Sequence, residues 1–179
     1  MILAADGWLA GCRRVASPNH DERPDGPISL LMVHSISLPP GEYGGDAIER
    51  LFTNRLDPEA HPYFRPIAGL KVSAHFLIRR DGERVQFVPV GRRAWHAGAS
   101  RWRGRERCND FSVGVELEGS DDSAFAEAQY RSLDGLIRIL ARSLPLRHVA
   151  AHSDVAPGRK TDPGPGFAWA RLLALLSHH

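Results

Sequence analysis

Five residues have the types that hydrolytic chemistry needs: His34, Glu116, His152, Lys160 and Asp162. Two neutral imidazoles and one carboxylate make a plausible shell for one catalytic zinc ion, because three protein ligands leave the fourth tetrahedral position for water. The metal would lower the pKa of that water towards about 7 and polarise a carbonyl, so amide hydrolysis is the chemistry such a set points to. Glu116 is a carboxylate that can take a proton from the water and pass it to a leaving nitrogen. Lys160 lies two residues before Asp162, so in an extended loop both side chains share a direction and the ammonium can face an oxyanion. Taken singly, each residue also has a structural reading. A histidine at a strand end is commonly hydrogen-bonded scaffold, Glu116 can be solvated or salt-bridged, and Lys160 beside Arg159 can be plain surface. There is no HExxH helix to decide between them.

These residues need elements to position them. "SLLMVHSI" (29–36) is an apolar run of strand length between "DGP" and "SLPPGEYGG", with His34 near its end. "DAIERLFTN" (46–54) has Ile48, Leu51 and Phe52 at helical spacing. "SAHFLIRRDGERVQFVPV" (73–90) reads as two strands joined at Asp81-Gly82, a pair suited to a tight hairpin because both residues tolerate positive φ. "SVGVELEG" (112–119) alternates, with Val113, Val115 and Leu117 on one face and Ser112, Gly114, Glu116 and Glu118 on the other. Glu116 therefore projects beside a glycine that leaves space.

An amphipathic helix is predicted over 127–144, with Tyr130, Leu133, Leu136, Ile137, Leu140 and Leu144 on its apolar face and Pro145 after it. "RHVAAH" (147–152) reads as a strand ending at His152, and "FAWARLLALL" (167–176) as a closing helix. The order predicts an α/β fold: a mixed central sheet flanked by helices, with active groups where loops leave the strand ends. The stretch 151–167, rich in Pro and Gly, then becomes a stiff loop holding His152, Lys160 and Asp162 together.

Composition narrows the alternatives. A chain of 179 residues, 42% hydrophobic, fits a single domain over 1–179, with a monomer as the default. Its 23 Lys and Arg nearly balance 21 Asp and Glu, so the net charge of +2 gives no whole-protein case for nucleic acid or an anionic membrane. Cys12 and Cys108 form no framework and no CxxC, which suits a reducing cytoplasm. "LAGC" (9–12) imitates a lipoprotein cleavage site, but the residues before it lack a basic region and Asp6 interrupts their apolar stretch. No apolar run approaches the roughly 20 residues of a membrane span. His178 and His179 read equally as native sequence or a tag remnant and stay outside the fold argument.

The strings "GWLAGCRRVASPNHDERP", "HSISLPPGEYGG", "VSAHFLIRRDGERVQFVPVGRRAWHAG", "GRERCNDFSVGVELEG" and "HSDVAPGRKTDPGP" occur in order across 7–171. Together they resemble the AmpD-type N-acetylmuramoyl-L-alanine amidases, zinc enzymes of bacterial cell-wall recycling. The resemblance implies the mixed-sheet fold shared with phage amidase lysozymes and peptidoglycan recognition proteins. It implies zinc-ligand roles for His34, His152 and Asp162, proton transfer by Glu116, and transition-state stabilisation by Lys160. The implied substrate is a cytoplasmic 1,6-anhydromuropeptide, cut between the lactyl group of 1,6-anhydro-N-acetylmuramic acid and L-alanine of the stem peptide.

For such a ligand Trp95 can lie flat against a sugar ring, and Arg107 can form paired hydrogen bonds to a peptide carboxylate. Without the family, ordinary core is the reading for Trp95 and a solvated charge for Arg107. Ser35 stands where close relatives commonly have Asn, and Lys71 where several have Arg, both near the expected peptide site. Lys lacks the planar two-point grip of Arg, so stem-peptide preference is left open. His75 and His96 fall in family-like strings but outside the zinc shell, His75 ordering the site through hydrogen bonds. His61 and His148 read as structural or exposed, and His20 carries no role. Two rival readings are a recognition module that keeps the groove without catalysis, and a nucleic-acid contact through "RWRGRER" (101–107).

Overall fold

The apolar run before His34 forms the strand Leu30–Ile36, which lies inside a six-stranded sheet of the protein's computed structural model. The structure describes residues 2–177; His178 and His179 lie outside the described residues. Parallel neighbours flank Leu30–Ile36 on both sides, Ser112–Glu118 on one and His148–Ala151 on the other. Beyond Ser112–Glu118 come Phe76–Ile78, also parallel, then Arg84–Gln86 antiparallel to it, and the edge strand Arg13–Arg14. The sheet is mixed and carries helices, as the sequence predicts.

Alternation along the strands sends side chains to two covered faces. On one face Leu31, Val33, Val113, Val115, Phe76 and Ile78 pack against the buried stripe of the helix Glu127–Ser143. On the other, Leu30 and Met32 meet Ala97, Cys108 and Phe111, while Leu77 meets Leu51 and Phe52 of the helix Ala47–Phe52. With both faces covered, all seven residues of Ser112–Glu118 are buried. The closing helix is Trp169–Ser177. No helix among the described residues is long and apolar enough to cross a membrane.

Three local expectations change. In the Asp81-Gly82 hairpin only Gly82 takes a positive φ, 90°. Its N–H donates to Arg79 O and the Arg79 N–H to Glu83 O, both at 2.9 Å, which makes a three-residue loop closed by a left-handed glycine. His152 does not end the strand; it opens the short helix His152–Val155, one step after Ala151. The long helix stops at Ser143, and Leu144 is extended, as a residue before proline prefers. The edge strand Arg13–Arg14 and two ribbons, His20–Asp21 with Arg93–Ala94 and Arg101–Trp102 with Arg105–Glu106, are two-residue pairings too short to produce a periodic signal.

Gln129 locks the long helix to the ends of two strands. Its side-chain amide donates to Ile78 O at 3.2 Å and Glu118 O at 3.0 Å, and its Oε1 accepts the Ala126 N–H at 3.0 Å, the returning half of a capping box. Gln129→Ala removes these three bonds and the one that Oε1 accepts from Arg80 Nη1 at 3.1 Å, so a loss of about 2–3 kcal/mol is expected, read as a lower urea midpoint with unchanged slope.

Candidate metal centre and active site

Strand register alone places three of the chemical residues in one row. His34 pairs with Glu116 across the parallel strands, and Val33 pairs with Ala151, so His152 falls beside His34 one step further on. The row runs Glu116, His34, His152 near the C-terminal ends of parallel strands, where open α/β sheets place their ligands. Asp162 is brought over the row by its own backbone, whose carbonyl accepts the Ser153 N–H at 3.0 Å. Arg159 braces the same loop: its Nη2 donates to Ala97 O and Ala99 O, both at 2.7 Å.

Three acceptor atoms meet in a triangle. His34 Nδ1 is 3.0 Å from His152 Nδ1 and 3.1 Å from Asp162 Oδ2, and His152 Nδ1 is 3.1 Å from the same carboxylate oxygen. These edges cannot all be hydrogen bonds when the imidazoles are neutral. His152 Nε2 lies 3.2 Å from Ala97 O, an atom that only accepts, so the ring proton is on Nε2 and Nδ1 is a bare lone pair. A proton on His34 Nδ1 could bridge only one edge at a time, leaving lone pairs opposed. A cation at the centre satisfies all three. Ligand atoms in a tetrahedral zinc shell stand about 3.4 Å apart, so the triangle matches zinc to within a few tenths of an ångström. Burial holds His34 down to about 4, against a smaller opposing pull from Asp162, which keeps the ring neutral and free to ligate. Burial would raise the Asp162 carboxyl, but its contacts with His152 and His34 outweigh this and hold it below the usual carboxylate range.

The triangle lies in a cleft of about 580 Å³ that Glu116, Lys160, Ser35 and Trp95 also line, with Leu38, Phe52 and Ile67 in its apolar wall. Glu116 is buried, and its Oε2 has no hydrogen-bond partner. Burial, then the Asp162 charge, pushes its carboxyl well above the usual value, and Lys160 pulls only weakly the other way. The Lys160 ammonium has no ion-pair partner among the described residues.

The substrate-side residues divide. Ser35 lines the cleft and donates to Asp121 Oδ1 at 3.3 Å, and Trp95 is half-buried in the cleft wall. Lys71 is exposed between Leu70 and Val72, which themselves line the cleft. Arg107 is not brought to the cleft. Its side chain is 71% exposed, faces Asp110 at 3.4 Å and borders a separate depression with Arg101, Val155, Pro157 and Arg159. His75 orders the site from beneath, accepting the Gly114 N–H on Nδ1 at 3.0 Å and bonding Arg92 O through Nε2 at 3.0 Å. His61 caps the turn Pro62–Phe64 by accepting the Tyr63 N–H, and His148 makes an edge contact with Trp102.

His96 is the contact that spacing does not reveal. A Cβ on Gly114 would come within 2.5 Å of the His96 ring, so the glycine is what lets that ring lie over the sheet. There His96 Nδ1 reaches His34 Nε2 at 3.0 Å. The only trace in the sequence is the gap in an otherwise regular alternation at Gly114.

Because the Glu116 carboxyl titrates above its unfolded value, its contribution to stability is full below about pH 4.5 and is lost as pH rises towards the folded value. Glu116→Gln cannot ionise. In metal-free protein its stability advantage over wild type should therefore grow as pH rises above about 4.5, measured by urea unfolding. A difference that does not change with pH would contradict the buried-acid assignment.

Comparisons with known proteins identify the family. The family model for N-acetylmuramoyl-L-alanine amidase matches residues 24–165. The chain is 57% identical to the 1,6-anhydro-N-acetylmuramyl-L-alanine amidase AmpD of Escherichia coli (strain K12), over 98% of each protein. Its fold superposes on a crystal structure of a selenomethionine AmpD derivative with a TM-score of 0.96 at 57% identity, covering 99% of this chain and 100% of the other. A structure of the E. coli amidase AmiD, in complex with the substrate anhydro-N-acetylmuramic acid-L-Ala-D-gamma-Glu-L-Lys, matches at 31% identity and a TM-score of 0.59. That match covers 89% of this chain and 58% of AmiD. The chain belongs to the N-acetylmuramoyl-L-alanine amidase family, and within it to the AmpD type.

Proposed function

We propose that residues 1–179 act as one zinc-dependent amidase domain that cleaves the amide between 1,6-anhydro-N-acetylmuramic acid and L-alanine of the stem peptide, during recycling of cell-wall fragments in the cytoplasm. The reading rests above all on three opposed lone pairs lying in the same cleft as an unpartnered, protonatable Glu116. The anhydro sugar enters from the relatives, whose names and bound ligand carry it.

His34, His152 and Asp162 would hold the metal, and zinc bound there supplies Lewis acidity that polarises the carbonyl and acidifies a water. Glu116 takes the proton of the attacking water as the new C–O bond forms. It returns that proton to the L-alanine nitrogen as the C–N bond breaks, and the second proton of the water passes from the new lactyl carboxyl to the released amine, leaving a carboxylate and a peptide ammonium. A carboxyl whose pKa burial raises well above the usual carboxylate value suits both steps, since it must alternately accept and give. Lys160 carries an unpaired charge for the oxyanion. Trp95 offers a flat face to the sugar, and the apolar wall excludes water from its far side. Ser35 and Lys71 face the peptide end. Arg107 would serve substrate only where the peptide extends to the outer depression beside Arg159.

The test is release of the stem peptide from an anhydromuramyl peptide, followed by chromatography. Chelation should abolish turnover and added zinc restore it. Glu116→Gln should keep its zinc and slow turnover about 10²–10⁴-fold, and Lys160→Met about 10²–10³-fold. Stoichiometric zinc with no peptide released from any muropeptide would make the chain a recognition module instead.

A further inference from the structure

The hydrogen-bond chain behind His34 has a fixed direction. It begins at Cys108 O, in the turn Cys108–Asp110 beneath the sheet. Ser112 Oγ is 2.6 Å from that carbonyl, and a carbonyl only accepts, so the single hydroxyl proton points to it. Ser112 Oγ then has only lone pairs to offer His96 Nε2, 3.3 Å away, and that nitrogen must carry the His96 proton. A neutral imidazole has one N–H, so His96 Nδ1 is an acceptor. It faces His34 Nε2 at 3.0 Å, which puts the His34 proton on Nε2 and leaves Nδ1 bare towards the triangle.

The relay is built to hold still. The backbone N–H groups of His96 and Ala97 both donate to Asn109 Oδ1, at 3.2 and 2.8 Å, which fixes the loop carrying the ring. The missing Cβ of Gly114 gives the ring its place against the sheet. His152 reaches the same outcome in one step, through Ala97 O.

We propose that Cys108 O, Ser112 and His96 form a directional relay that fixes the proton of His34 on Nε2, making Ser112 and His96 positioning residues that set how tightly the triangle takes its metal ion. The affinity half rests on the zinc reading above; the tautomer half does not. Outer hydrogen bonds of this kind are worth about 10–100-fold in metal affinity. In Ser112→Ala, His96 loses the acceptor that fixes its proton and can present an N–H to His34, which then has to accept on Nε2.

Two measurements test this. Long-range proton–nitrogen NMR spectra of the metal-free protein report which nitrogen of each histidine carries hydrogen. Competition titration with a chromophoric chelator gives the zinc affinity. Wild type should show His34 protonated on Nε2. Ser112→Ala should mix the His34 tautomers, leave His152 unchanged and bind zinc about 10-fold or more weakly, with Ser112→Thr restoring both. A wild-type His34 proton on Nδ1 would overturn the relay, and that measurement needs no variant to fold. Zinc affinity unchanged in Ser112→Ala would overturn the positioning role. Wild type that binds no zinc but keeps His34 protonated on Nε2 would overturn the metal reading and the affinity half with it, while supporting the relay.

Discussion

Three electron-rich atoms held at 3.0–3.1 Å in a cleft are the constraint on which the rest of the molecule depends. Left to themselves such atoms move apart or recruit protons, since an unpaired polar group in a low-dielectric site is costly. Burial, which keeps the His34 ring neutral, opposes the second escape, and the fold opposes the first. His34 sits on a central strand buried on both faces, and His152 opens the short helix one step after the neighbouring strand His148–Ala151, so neither histidine can retreat without disturbing the core. The third corner is on a loop tied down by the Ser153 N–H and by the two bonds of Arg159. The sheet therefore presents an arrangement that a cation would relieve, and such preorganisation lowers the ordering cost of binding one.

Much of this is visible in the sequence, and what is not has a physical reason. His34 can be placed because the run 29–36, apolar and small apart from His34 itself, admits few structures other than a buried strand. His152 is displaced by one position, because the switch from strand to a four-residue helix leaves no composition change to mark it. The alternation at 112–118 separates the two faces correctly but cannot say that both are covered. That cover comes from residues outside the strand, His96 on one side and the helix Glu127–Ser143 on the other. The relay through His96 is hidden for the same reason: its members are separate in sequence and meet only through register and a glycine void. Arg107 shows the converse. Its string resembles the family closely, yet a left-handed φ of 59° and a pairing with Asp110 turn it towards a different surface depression. Sequence likeness fixes a residue's neighbours along the chain; the direction of a long side chain leaving a short ribbon is decided by its backbone conformation and local contacts.

Glu116 and Glu118 show how environment divides labour between identical side chains. They lie two residues apart on one strand and point to the same face. Glu118 is saturated: Oε1 accepts from the Gly44 N–H at 2.7 Å and Arg79 Nη1 at 3.0 Å, and Oε2 accepts from the Arg80 N–H at 3.2 Å. Arg79 in turn pairs with Glu49, itself paired with Arg13, so this carboxylate anchors a network that ties the loop after Leu30–Ile36 to the sheet edge. Glu116, one pleat nearer the centre, has an orphaned oxygen and Asp162 as its principal charged neighbour. A buried carboxyl without donors gains nothing from ionising, and one facing a second carboxylate loses further. A scaffold selected for stability alone would give Glu116 the donors that Glu118 has. Withholding them leaves a carboxyl free to accept a proton in one step and release it in the next, the property the proposed amide cleavage requires.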